Sequence, residues 1–248
     1  MIHLLALPGA PDYGGSMDLV LERAHSDAQQ LEEAGFDGLM VENFGDAPFY
    51  ADAVPPETVA GIARSVASLS GTTTLRIGVN VLRNDGLSAV GIAAAVDAKM
   101  IRVNVLSGMM NTDQGPIVGE AAQLVRERQR LSPDTQIWAD VMVKHATPPP
   151  GLETIQAATD TWERGGADAL VLSGPGTGHP LDLDEAATVR EALPNAPLVV
   201  GSGGSVDNIA QLLEVFDCAI VGSATKVDGV VTNEVDPARA AAIVTTAN

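Results

Sequence analysis

Apolar and polar positions along this chain switch between a period of two and a helical spacing, and the switch recurs about every 30 residues. Ile2–Leu7 is an apolar run that reads as a strand. Met17–Ala34 carries Leu19, Ala24, Ala28 and Leu31 at helical spacing behind Ser16, a fitting N-cap, and Gly35 closes it. Asp37–Asn43 is the second strand, and Pro55 and Pro56 open a helix running to about Leu69. Leu75–Leu82 and Met100–Leu106 are the third and fourth strands, separated by the helix Leu87–Ala98. The glycine-rich stretch SGMMNTDQGPIVG precedes a helix over Glu120–Leu131. Gln136–Ala146 reads as the fifth strand and Leu152–Arg164 as its helix. Asp168–Ser173, Leu198–Gly201 and Cys218–Gly222 complete eight strands, with helices over Asp184–Leu193, Val206–Val215 and Pro237–Thr245.

Eight strand–helix units in 248 residues predict an α/β fold of one domain, a single (β/α)8 TIM barrel spanning 1–248. A doubly wound open sheet is the alternative, but it needs fewer strands to form a single site. An internal echo favours closure. AGFDGLMV resembles GGADALVL four units later, and FDCAIVGS repeats the same turn from helix end through Asp to strand.

Within the fifth strand, alternation puts Ile137, Ala139, Val141 and Val143 on an aliphatic face and Trp138, Asp140, Met142 and Lys144 on the other. Asp140 and Lys144 would lie about 13 Å apart along such a strand, too far to pair, so each charge needs a partner or a use elsewhere.

Composition narrows the function classes. The 14 Lys and Arg face 32 Asp and Glu, a formal net charge of −18, which argues against nucleic-acid binding and against an anionic membrane surface. Only Lys99, Lys144 and Lys226 are lysines, a surface suited to a high-salt cytosol where screening removes self-repulsion. No apolar run is long enough to span a bilayer, no leader is recognisable, and the single Cys218 fits a reducing compartment, so a cytoplasmic location is expected.

Polar residues gather at the C-terminal ends of the strands, where a barrel carries its site. They are Glu42 and Asn43; Asn80, Arg83, Asn84 and Asp85; Arg102 and Asn104; Asp113; Asp140, Lys144 and His145; and Ser173 in the SGPGTG segment. Glu42, Asp140 and Lys144 are the candidate catalytic groups, with the others as substrate contacts. The bland alternative is a salt-bridge lattice with Arg102 between Glu42 and Asp140. Lys144 could be a Schiff-base nucleophile, a point charge for phosphate or carboxylate, or half of an ion pair. Asp113 suits either a lid or a turn. His3 reads as a satisfied core histidine, whereas His179 sits in a Gly/Pro loop within reach of a ligand.

GSGGS after strand seven and GSATK after strand eight place Gly201, Gly203, Gly204, Gly222, Ser223 and Lys226 where many barrels hold phosphate, the first ahead of a helix N-terminus. No cluster has zinc spacing, and no cofactor is called for. Mg²⁺ on Glu42, Asp85, Asp113 or Asp140 has no spacing rule behind it.

The segments HLLALPGAP, VENFGDAPF, GVNVLRND, IRVNV, TDQGPIVG, ADVMVKHA, SGPGTG and IVGSATKVDG resemble the BtpA/SgcQ family of photosystem I biogenesis proteins and barrel proteins, in order and over nearly the whole chain. The resemblance implies a phosphate-binding barrel and marks Glu42, Asn43, Asn80, Arg83, Asn84, Asp85, Arg102, Asn104, Asp113, Asp140 and Lys144 as motif positions without assigning their chemistry. Ser173 stands where threonine is expected. Two functions follow as expectations. One is an enzyme on a small phosphorylated metabolite (isomerase, lyase or aldolase, or glycosyl-bond-cleaving), with a homo-oligomer as the expected assembly. The other is a non-catalytic assembly factor using the barrel as a binding module. Under the first, Asp140→Asn and Lys144→Ala should keep the fold and lose turnover.

Overall fold

The computed structural model describes residues 1–174 and 181–248, and within them the eight expected strands form one parallel sheet in sequence order. They are β1 (Ile2–His3), β2 (Gly38–Glu42), β3 (Arg76–Asn80), β4 (Met100–Val103), β5 (Gln136–Asp140), β6 (Ala169–Leu172), β7 (Leu198–Val200) and β8 (Cys218–Ala219). The sheet curls shut where the Met1 nitrogen donates to Val221 O at 3.0 Å, joining the first strand to the last. The fold is a (β/α)8 barrel.

Helices α1 (Met17–Ala34), α2 (Pro56–Ser70), α3 (Gly86–Val96), α4 (Ala121–Leu131), α5 (Thr154–Thr159), α6 (Leu183–Ala192), α7 (Ile209–Leu212) and α8 (Pro237–Ala247) cover the sheet. Ser16 caps α1 by accepting from Asp18 N, and Gly35 ends it with φ +93°, a left-handed turn that costs a residue with a Cβ. Helix α5 continues as one π turn over Asp160–Arg164, so the expected Leu152–Arg164 helix is two pieces.

Alternation sorts side chains into two cores. Ile2, Leu4, Val41, Val79, Ile101, Ile137 and Leu170 point outward and pack under the helices. Met1, Met40, Val171, Val199 and Ile220 fill the barrel interior, with Met100, Trp138 and Cys218 against them. Cys218 is thus a half-buried packing thiol, its pKa pushed up by burial.

The repeated helix-end Asp has a local job at two of its three occurrences. Asp168 Oδ2 accepts from Ile137 N and Asp217 Oδ2 from Leu198 N, both at 2.8 Å, so each carboxylate secures the start of the preceding strand.

Two expected elements change character. The glycine-rich stretch folds as a hairpin, Met109–Thr112 against Gly115–Val118, and Ala146–Thr147 adds a third antiparallel strand. The fifth strand stops at Asp140 instead of running to Ala146. Its last rung is Val141 N to Val171 O, after which the chain turns towards the hairpin, with His145 at φ +56°. Lys144 therefore reaches its position from a turn and not from the strand face. Among the described residues no helix is long and apolar enough to cross a membrane.

Candidate functional site

The C-terminal mouth of the barrel is built on register. Parallel pairing sets His3 beside Glu42, Glu42 beside Asn80 and Asn80 beside Arg102. All four side chains are therefore aimed into the barrel at one level. Asn80 Nδ2 donates to Glu42 Oε2 at 2.6 Å. Arg102 reaches across to Asp140 with Nε to Oδ2 at 2.9 Å and Nη2 to Oδ1 at 2.7 Å, and Asn104 Nδ2 adds a bond to Asp140 Oδ2 at 3.0 Å. Burial opposes the charge on Arg102, but the Asp140 carboxylate outweighs it and holds the guanidinium above its ordinary pKa. Three hydrogen bonds fall on the Asp140 carboxylate, so it orients Arg102 and Asn104.

The two amides have one consequence in common. Each spends its NH₂ on a carboxylate, which leaves Asn80 Oδ1 and Asn104 Oδ1 buried with no hydrogen-bond partner among the described residues. Ser173 Oγ and Ser202 Oγ are likewise buried with no partner among the described residues. Buried polar atoms are almost always satisfied, so these four atoms of the mouth are left to bond solvent or a ligand.

Lys144 shares a cavity of about 30 Å³ with His3, Phe44, Ser202, Gly203, Gly204, Gly222 and Ser223. The lysine and the two glycine loops, at least 57 residues apart in sequence, are thus brought together only by the fold.

 Lys144 follows the fifth strand, and the loops follow the seventh and eighth. Burial lowers the Lys144 pKa, with Glu42 and Asp140 pulling it back up and Arg102 and Arg83 adding to the fall. Its backbone is anchored by Arg83, whose Nη2 donates to Lys144 O at 2.6 Å. Arg83 is itself buried, which lowers its pKa. The charges of Asp140, Glu42 and Asp113 counter that effect, so Asp113, exposed at the hairpin turn, contributes to the mouth through its field.

Gly201 has a spatial reason to be glycine. A Cβ there would stand 2.4 Å from Ser173 Oγ, 2.5 Å from Val171 Cγ1 and 3.0 Å from Arg102 Nη2. Its carbonyl also accepts from Arg102 Nη1 at 3.4 Å. Gly203, Gly204 and Ser223 spend no backbone N–H on other described residues, so three donors remain beside Lys144.

Four expected ligand contacts are instead structural. Asn43 Oδ1 accepts from Leu82 N at 2.7 Å, clamping one strand-end loop to the next. Asn84 does the same on Val105, accepting from its N and donating to its O. Asp85 caps α3 through Ser88 and accepts from Val54 N. Lys226 is corrected from phosphate ligand to core residue. The turn Ser223–Thr225 carries it away from the mouth, and its fully buried Nζ donates to Asp27 Oδ2 at 2.6 Å.

The helix expected over Val206–Val215 shrinks to one turn, α7, so no extended helix dipole points at the glycine loop. Asn208 braces that loop, accepting from Ser205 N at 2.7 Å and donating to Gly203 O at 2.9 Å. His179 and the end of SGPGTG lie outside the described residues. Among the described residues no three His, Cys, Asp or Glu side chains are grouped as a metal site would group them.

His3 and Ser202 are the mouth residues that sequence reasoning passed over. The signal for His3 was present: Ile2 and Leu4 take the outer face of the first strand, which sends residue 3 inward.

The chain is 50% identical to an uncharacterized protein of Thermococcus kodakarensis, over 98% of this chain and 92% of that one. It is 45% identical to the photosystem I biogenesis protein BtpA of Synechocystis, over 98% and 85%. Among solved structures it is similar to a thiamine phosphate pyrophosphorylase from Pyrococcus furiosus, with a TM-score of 0.58 at 16% identity over 89% of this chain and 87% of the other, a likeness of fold alone. The BtpA family model matches residues 1–248, and the chain belongs to the BtpA family.

Proposed function

We propose that this chain is an enzyme acting on a small phosphorylated metabolite, a sugar phosphate or nucleoside-related compound. The phosphate rests on the N–H groups of Gly203, Gly204 and Ser223, with the Lys144 ammonium as its counter-charge. The observation that carries this reading is that Lys144 and the two glycine loops line one cavity. The rest of the ligand meets acceptors: the Glu42 carboxylate, Asn80 Oδ1 and Asn104 Oδ1. Hydroxyl groups supply the donors that these atoms need. Glu42 moves the proton, Lys144 polarises an oxygen, and Arg102 with Asp140 keeps the acceptors in place. Isomerisation, aldol or lyase cleavage and glycosyl-bond cleavage all use such a set. The cavity holds about 30 Å³, less than a sugar phosphate fills, so binding such a compound requires the mouth to widen.

A thermal-shift screen of phosphorylated metabolites tests the reading. Sugar phosphates should raise Tm, their unphosphorylated counterparts should not, and Lys144→Ala should abolish the effect while staying folded. The name of the Synechocystis relative supports a second reading, a binding module in assembly. Failure of every phosphorylated compound to shift Tm would overturn the first reading in favour of that one.

A further inference from the structure

His3 is a mostly buried imidazole in the mouth that the roles above leave unused. Its ring lines the cavity with Lys144, Gly203 and Gly222, and leans on Phe44 with centroids 4.8 Å apart. Gly222 gives it room: a Cβ at that position would stand 3.2 Å from His3 Cε1. Nε2 faces Glu42 Oε1 across 3.9 Å, beyond hydrogen-bond length. Nδ1 is buried with no partner among the described residues.

These surroundings select one tautomer. A proton on Nδ1 would be a buried donor with nothing to receive it, whereas a proton on Nε2 points towards a carboxylate. Burial also keeps the ring neutral, pushing its pKa well below the ordinary value, and the charges of the Met1 amine, Lys226, Lys144 and Arg23 act in the same direction.

Resting on the phosphorylated-ligand reading, we propose that His3 is a ligand-contacting residue whose Nε2–H donates to a hydroxyl oxygen of the bound compound, the same hydroxyl that donates to Glu42. An oxygen about 2.8 Å from both partners would meet them at about a right angle, an ordinary angle for a hydroxyl. A phosphate oxygen without a proton does not fit between a carboxylate and this ring, because it has nothing to give Glu42. When the hydroxyl proton passes to Glu42, the oxyanion left behind keeps the Nε2–H bond. Atoms and charge balance, with His3 neutral throughout.

The test compares wild type, His3→Phe and His3→Gln by calorimetric titration with inorganic phosphate and with ribose 5-phosphate, after Tm has established that each is folded. Each protein is read by the ratio of its ribose 5-phosphate affinity to its phosphate affinity, because the His3 ring lines the cavity that takes the phosphate. Ribose 5-phosphate should bind wild type more tightly than phosphate does, and His3→Phe should lower that ratio about tenfold. His3→Gln, which keeps a donor, should recover part. Ring ¹⁵N spectra of histidine-labelled protein should show His3 protonated on Nε2, with a shift on adding ribose 5-phosphate. An unchanged ratio in His3→Phe, no preference of wild type for the sugar phosphate, or a proton on Nδ1 would each overturn the proposal. Phosphate binding that survives in that case leaves the broader reading standing; a wild type that binds neither compound ends both.

Discussion

Arg102 and Asp140 meet through two parallel bonds of 2.9 and 2.7 Å, and neither side chain reaches solvent. An ion pair in this position is a framework, because the attraction is offset by desolvating both ions while loss of one partner strands the other. Asp140→Asn therefore should not leave a stable protein that merely lacks turnover. It should cost about 3–5 kcal/mol in chemical denaturation, and replacing both residues by apolar side chains of similar volume should recover much of the loss.

Lys144 should behave in the opposite way. Its folded pKa lies below that of the unfolded chain, so holding the charge costs the folded state at neutral pH, and that penalty is relieved as pH rises through the folded pKa. Lys144→Met should thus leave Tm at pH 7 unchanged or higher while removing phosphate binding. Wild-type phosphate affinity should fall with rising pH before the ordinary lysine range is reached, as titration calorimetry from pH 7 to 10 would register.

Lys226 provides the contrast. Asp27 accepts from Lys226 Nζ at 2.6 Å and from Val235 N at 2.7 Å, pinning the chain after β8 to α1. Lys226→Ala should destabilise by about 3–5 kcal/mol, measured by urea unfolding, since it abandons a buried carboxylate. Under conditions where the variant stays folded, phosphate affinity should match wild type.

Gly201→Ala should be destabilising by about 1–3 kcal/mol through overpacking against Ser173, Val171 and Arg102. Adding Ser173→Ala should recover only part of it in the same unfolding assay, because Val171 Cγ1 would still stand 2.5 Å from the new methyl.

The charge of −18 predicts a salt response. Raising NaCl from about 0.1 M to 1 M shortens the Debye length from about 10 Å to 3 Å and should raise Tm by relieving repulsion between surface carboxylates. A flat or falling Tm would remove the high-salt reading of this composition.

The barrel itself was legible in the chain because its cues are local. Ser16 and Gly35 bracket α1 by capping chemistry, the outer face of each strand is aliphatic, and Asp168 and Asp217 each mark a strand start through one short bond. Alternation also put Asp140 on the face of the fifth strand opposite its aliphatic one, and residue type marked Glu42, Asn80 and Arg102 as polar groups at strand ends. What residue type and spacing leave open is which charge meets which. Lys144 and Lys226 look alike as strand-end lysines, yet one lines the mouth and the other is locked under α1. Asn43, Asn84 and Asp85 look as available as Asn80 and Asn104, yet they are consumed by neighbouring loops. Those outcomes depend on where each strand stops, how it registers with its neighbours and which way the following turn leads. They arise from partners far away along the chain, which only the closed barrel brings within hydrogen-bond reach.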